Sequence, residues 1–161
     1  MTPDPLLDLQ FHRDVSLSSA QIWEGLTNPD ILMKWFCPRP WKVVECEIDL
    51  QPGRIFRTVM QSPEGEKMPD NKWCFLAVEP ERRLVWTNAL GPGFRPKPQP
   101  KDESLGFFFV ADLRLSPRVS GGTSYTANVM HQSHAAKLAH EDMGFQHGWG
   151  AALDQLVELA Q

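Results

Sequence analysis

The sequence predicts an α+β fold in which a curved, seven-stranded antiparallel sheet wraps one long C-terminal helix, with two short helices after the first strand. Three observations carry that prediction. Alternating apolar and polar stretches, separated by turn signals such as Pro52-Gly53, Pro63-Glu64-Gly65 and Gly121-Gly122, fill the middle of the chain. The last stretch carries helical rather than alternating periodicity. Strands outnumber helices, and hairpin turns join most of them, which favours an antiparallel sheet.

Each element follows in chain order. Residues 1–7 form a short lead-in. Leu9, Phe11 and Val15 then alternate with Gln10, His12 and Asp14, giving a strand over about 8–16. Ser18 and Gln21 stand at capping-box spacing and start a helix that runs through Leu26. Asn28 as cap and Pro29 at the first helical position start a second one, to about Phe36. Strands follow at 43–50, 55–60, 72–78, 84–90, 105–115 and 123–130. In the first of these, Val44, Cys46, Ile48 and Leu50 share one face. The segment 91–101, GPGFRPKPQPK, has four prolines in eleven residues and reads as one long extended loop. The remainder, 134–160, reads as a single helix roughly 40 Å long.

Composition bounds the class. The 161 residues, 42% hydrophobic and 22% charged, suit one domain spanning 1–161. No run approaches the roughly 20 apolar residues of a spanning helix, so no membrane span is expected. The N-terminal residues lack a basic stretch followed by an apolar one, so no secretion signal is expected. A formal net charge of −4 disfavours nucleic acid as a partner. Cys37, Cys46 and Cys74 are odd in number and lack CxxC spacing, which reads as reduced thiols in a cytoplasmic protein.

The terminal helix sets the candidate site. With Trp149 as reference direction, Leu138, Phe145, Leu153, Leu156 and Ala160 fall within about 40°, and His140, His147, Asp154 and Glu158 on the far side. A sheet wrapped around such a helix is a helix-grip, and the two surfaces leave an apolar cavity between them. Asp142 falls about 20° from Trp149, inside the apolar stripe. A carboxylate there needs a partner, for which Arg13, Arg54 and Arg57 are candidates. Gly144, Gly148 and Gly150 lie in the same helix and point to close packing.

No metal, cofactor or catalytic motif emerges. His140 and His147 are too far apart along a helix to share an ion, and HExxH is absent. Cys46 and Cys74 read as core, and Cys37 as a thiol near the cavity mouth. The aromatic residues Trp35, Trp41, Phe56, Trp73, Trp86, Phe107, Phe109, Phe145 and Trp149 come from separated segments that this fold brings to one cavity. The expected ligand-binding set is Trp35, Phe56, Arg57, Trp73, Trp86, Phe109, Asp142, Phe145 and Trp149. The loop 91–101, with Arg95, Lys97 and Lys101, would form a lip beside it.

Four stretches carry a resemblance to a known family. HEDMGFQHGWGAALDQL (140–156) is similar to an M-G-F-x-x-G-W-x-x-x-L-D-x-L ending. FHRDVSLSSAQIWEGLTNPDILMKWF resembles a strand leading into A-x-x-I/V-W-x-x-L-T-x-P-x-x-L-x-x-W. CEIDLQPGRIFRTVM resembles a D-x-x-P-G-G-x-F-x-x-x-M hairpin, with one glycine here, and VEPERRLVWT resembles E-x-x-P-x-x-R-L-V-x-T. Together these resemble the AHSA-type (heat-shock-protein ATPase activator homologue-like) branch of the SRPBCC, or START-like, superfamily. The resemblance implies the helix-grip fold and offers no catalytic signature. The functional expectation is an apolar small-molecule ligand held between sheet and helix. An enzyme of polyketide cyclase or hydrolase type, with Asp142 as base, and a chaperone ATPase activator-like interaction module are the alternatives. A homodimer through an open strand edge is also compatible with the pattern.

Overall fold

Alternation produces strands where the sequence predicts them. The computed structural model, which describes residues 2–102 and 106–161, orders its elements as β1 (Asp8–Val15), α1 (Ser19–Thr27), α2 (Pro29–Leu32), β2 (Lys42–Ile48), β3 (Ile55–Gln61), β4 (Asn71–Glu79), β5 (Arg83–Thr87), β6 (Leu90–Gly91), β7 (Arg95–Pro96), β8 (Phe109–Pro117), β9 (Thr123–His131), α3 (His134–Asp142) and α4 (Phe145–Leu159). Seven strands form one sheet in the order β1-β9-β8-β5-β4-β3-β2, with every neighbouring pair antiparallel. Alternation along β9 buries Thr123, Tyr125, Ala127, Val129 and His131 on the face that meets the helices. Leu9, Phe11 and Val15 do the same on β1. No helix among the described residues is long and apolar enough to cross a membrane.

The capping residues act as the sequence predicts. Gln21 N donates to Ser18 Oγ at 3.1 Å, and Ser18 N donates to Gln21 Oε1 at 2.9 Å. Asn28 Oδ1 accepts from Asp30 N at 3.1 Å and starts α2 at Pro29. That helix ends at Leu32, earlier than expected. The chain runs on through tight turns, Lys34 N to Ile31 O at 2.9 Å and Trp35 N to Leu32 O at 3.2 Å, which deliver Trp35 and Phe36 beneath the sheet.

Four expectations need correction. In β2 the register shifts between Val43 and Glu45, so Val43 rather than Val44 is buried. The loop 91–101 is not plainly extended, because Leu90 pairs with Pro96 and Gly91 with Arg95 in a small hairpin. Its tip folds onto the β2–β3 turn, where Gly93 N donates to Gly53 O at 2.7 Å and the Phe94 ring leaves no room for a side chain at Gly53. The strand expected from residue 105 starts at Phe109, and Leu105 lies outside the described residues.

The terminal helix is the fourth and largest correction. It is two helices, α3 and α4, joined at Met143 and Gly144. Gly144 adopts φ 85, ψ 42, a left-handed conformation that a β-carbon disfavours, and serves as the N-cap of α4. Angular phasing from Trp149 therefore does not carry back past Gly144. Leu138 and Asp142, predicted to face inward, are exposed, and His140, predicted to face outward, turns in.

Candidate functional site

Where the α3–α4 joint crosses the sheet, it leaves a cavity of about 310 Å³. The turns after α2 supply Trp35, Phe36, Cys37 and Pro38. The sheet supplies Met60, Trp73, Trp86, Phe109 and Tyr125. The helices and their joint supply His140, Met143, Gly144, Phe145, Gly148, Trp149 and Ala152. The wall is mostly aromatic, and its rings interlock. Trp86 and Trp149 lie nearly parallel, 6° apart with centroids at 6.4 Å, and Phe145 sits 5.1 Å from Trp149. Trp73 and Phe36 meet edge-on at 5.9 Å. Such pairs contribute about 0.5–1.5 kcal/mol each beyond area burial.

Two polar anchors hold the wall in place. Trp35 Nε1 donates to Gly25 O at 2.9 Å, and a side chain at Gly25 would collide with Leu156 Cδ1 at 2.7 Å. Buried Gln155 on α4 clasps the incoming turn: its Nε2 donates to Trp35 O (3.1 Å) and Cys37 O (2.9 Å), and its Oε1 accepts from Arg39 N (2.8 Å). The glycines of α4 divide the remaining work. At Gly150 a β-carbon would stand 2.7 Å from Arg13 Nη2, and at Gly148 it would meet nothing within 4 Å. Gly148 therefore leaves cavity space that a larger residue would fill.

The cavity's polar groups are few. His131 Nδ1 lies 2.9 Å from Leu7 O, and His131 Nε2 lies 2.9 Å from His140 Nδ1. The rings of Phe107 (4.8 Å), Phe109 (5.2 Å) and Phe145 (5.2 Å) enclose the His140 imidazole. Burial, with His131 beside it, pushes the His140 pKa down from 6.5 to about 4, so the ring is neutral at ordinary pH. Burial also lowers His131 and raises the Tyr125 phenol. Cys37 is pushed up to about 11 by burial and stays a thiol. Among the described residues no three His, Cys, Asp or Glu side chains group as a metal site.

The structure brings Trp35, Trp73, Trp86, Phe109, Phe145 and Trp149 to this cavity. Phe56 stands one layer behind, stacked on Phe75 at 5.3 Å and 2°, and 4.7 Å from Trp73. Arg57 does not reach the cavity. It neighbours buried Phe56 in the same strand, so it faces the opposite side of the sheet. There its Nε donates to Asp70 at 2.7 Å, and its Nη2 lies 3.4 Å from Glu45. Asp142 is exposed, and the arginines proposed for it pair elsewhere, Arg13 with Asp154 at 2.8 Å and Arg54 with Asp49 at 3.8 Å. Trp41 is 39% exposed, and Phe107 packs on His140 instead. The loop 91–101 does not form a lip: Lys97 Nζ donates to Lys72 O on β4, and none of the loop's residues lines the cavity. Sequence reasoning missed Met60, Tyr125, Gln155 and His140. Tyr125 carried a signal, since it alternates with Ala127 and Val129, whereas His140 could be placed only by seeing the helix break.

Comparison with known proteins points one way. A family model described as Activator of Hsp90 ATPase homolog 1-like protein matches residues 16–161. A crystal structure of a protein from Nitrosomonas europaea is similar at 43% identity and a TM-score of 0.88, over 98% of this chain and 96% of that one. A Rhodobacter sphaeroides protein shares 24% identity with a TM-score of 0.78, over 99% and 95% of the two chains. The AHSA1 protein of Silicibacter pomeroyi shares 18% with a TM-score of 0.65, over 95% and 97%, a likeness of fold alone. Comparison with curated proteins finds no match.

Proposed function

The chain belongs to the Activator of Hsp90 ATPase homolog 1-like family, and we propose that it is a small-molecule-binding protein that holds an apolar or aromatic ligand between the sheet and the C-terminal helices. The observation that carries this reading is the cavity of about 310 Å³ lined by the four tryptophans Trp35, Trp73, Trp86 and Trp149. Its volume stands at the small end of ligand sites, which run from about 300 to 1,000 Å³. Burial of apolar surface, about 25 cal/mol per Å², supplies the affinity, and the few polar groups fix orientation. We place the protein in the cytoplasm, in keeping with Cys37, Cys46 and Cys74 being unpaired.

Native mass spectrometry of freshly purified protein, followed by a thermal-shift screen of phenolics, apolar acids and polyketides, tests the proposal. A co-purified small molecule, or a shift that grows with ligand concentration as mass action requires, is the expected result. No bound mass and no shift would refute it and leave a filled-core interaction module that holds no ligand as the better account. An enzyme in the same cavity is the second reading, favoured by the neutral imidazole of His140 in the wall. Turnover of the bound compound separates the two.

A further inference from the structure

The hydrogen-bond chain behind the cavity has a direction that its geometry determines. Leu7 O has no proton to give, so the 2.9 Å contact requires the proton to sit on His131 Nδ1. A neutral imidazole carries one ring proton, which leaves His131 Nε2 as an acceptor. The 2.9 Å contact from His131 Nε2 to His140 Nδ1 then requires the proton of His140 on Nδ1. His140 Nε2 is left with a lone pair. No hydrogen bond among the described residues uses that nitrogen. The side-chain polar atoms sealed without a partner among those residues are Thr58 Oγ1 and Asn128 Oδ1, so Nε2 is open to the space it borders.

Resting on the cavity as a ligand site, we propose that His140 Nε2 accepts a hydrogen bond from the ligand, and that the ligand is an aromatic molecule carrying a neutral hydroxyl of phenol type. Three features select that chemistry. Phe107, Phe109 and Phe145 hold the imidazole plane, so the lone pair has a fixed direction. Among the described residues, the cavity wall contains no lysine, arginine, aspartate or glutamate, so a charged headgroup would enter without a counter-charge from them. A carboxylate would also meet the lone pair of Nε2 with a lone pair of its own, whereas a hydroxyl satisfies it. The charged groups that act on the chain, Asp8 and Lys137, stand beside His131, behind the wall. Tyr125, whose hydroxyl makes no hydrogen bond among the described residues, offers a second polar contact to the same molecule.

Isothermal titration of the full chain with 2-naphthol and with 2-methoxynaphthalene tests the assignment at about pH 7, where a phenol keeps its proton. The two probes share a ring system and differ in whether the oxygen can donate. 2-Naphthol is expected to bind about fivefold more tightly, the size of one net hydrogen bond. His140→Phe should abolish that preference while keeping affinity for 2-methoxynaphthalene. Equal binding of both probes by the native chain, or a preference that survives in H140F, overturns the role of His140 and keeps the cavity as a ligand site. Binding of neither probe overturns the phenol-type ligand, and the broader screen then decides whether the cavity is a ligand site at all. Long-range proton–nitrogen correlation on the native chain is independent of any variant: the expected His140 proton is on Nδ1, and a proton on Nε2 overturns the assignment.

Discussion

His140 is a titratable ring inside an apolar wall, and its depressed pKa has a thermodynamic consequence. A group harder to protonate in the folded state contributes stability above its unfolded pKa and loses it as pH falls through the folded value. For His140 that window runs from 6.5 down to about 4. The shift corresponds to about 3 kcal/mol, at roughly 1.4 kcal/mol per pKa unit. Asp14 and Asp70, held below 3.8 by hydrogen bonds from Ser124 and Arg57, lose their contribution only at lower pH. Urea denaturation should therefore show the native chain losing more stability between pH 7 and pH 4.5 than H140F does, and equal losses would refute the burial argument. At this scale the sequence was partly legible. Phe56 and Arg57 cannot both face one cavity because they are adjacent in a strand, and parity alone would have removed Arg57 from the expected set.

Elements were legible wherever local chemistry decides them. Ser18, Gln21, Asn28 and Pro29 announce two helices because capping depends on neighbours a few residues away. The α3–α4 joint was not legible, because Met143-Gly144 in a helical context costs only a weak propensity penalty. What breaks the helix is the left-handed backbone at Gly144, which no periodicity records. That single residue moved His140 into the cavity and Asp142 out of it. Gly144→Ala should lower stability by about 1 kcal/mol, read by thermal denaturation, since alanine must adopt φ 85 there. At the other end of the wall, Gln155→Leu leaves Trp35 O, Cys37 O and Arg39 N without their partner. A loss of about 2–3 kcal/mol is expected from three broken hydrogen bonds, and a neutral effect would show that the clasp is dispensable.

Across the whole molecule, sheet and helices assemble as the alternating strands and the amphipathic terminus require, and six of the nine expected site residues meet at one cavity. The charged members of that set fell away for a physical reason. An unpaired charge in an aromatic cavity is costly, so Arg57 and Asp142 sit where water or an opposite charge serves them. Space in the cavity depends on what Gly148 lacks. Gly148→Leu should fill it, abolishing ligand-induced thermal shifts while leaving stability unchanged or raised, because leucine favours helix over glycine by up to about 1 kcal/mol. Retained shifts in that variant would place the ligand elsewhere. The parallel faces of Trp86 and Trp149, 6.4 Å apart on opposite sides of the sheet–helix seam, have an optical corollary. Indole emission responds to the polarity and contacts of its surroundings, so an occupant would alter the glow of both rings together. The protein thus carries its own unlabelled indicator of whether the cavity is full.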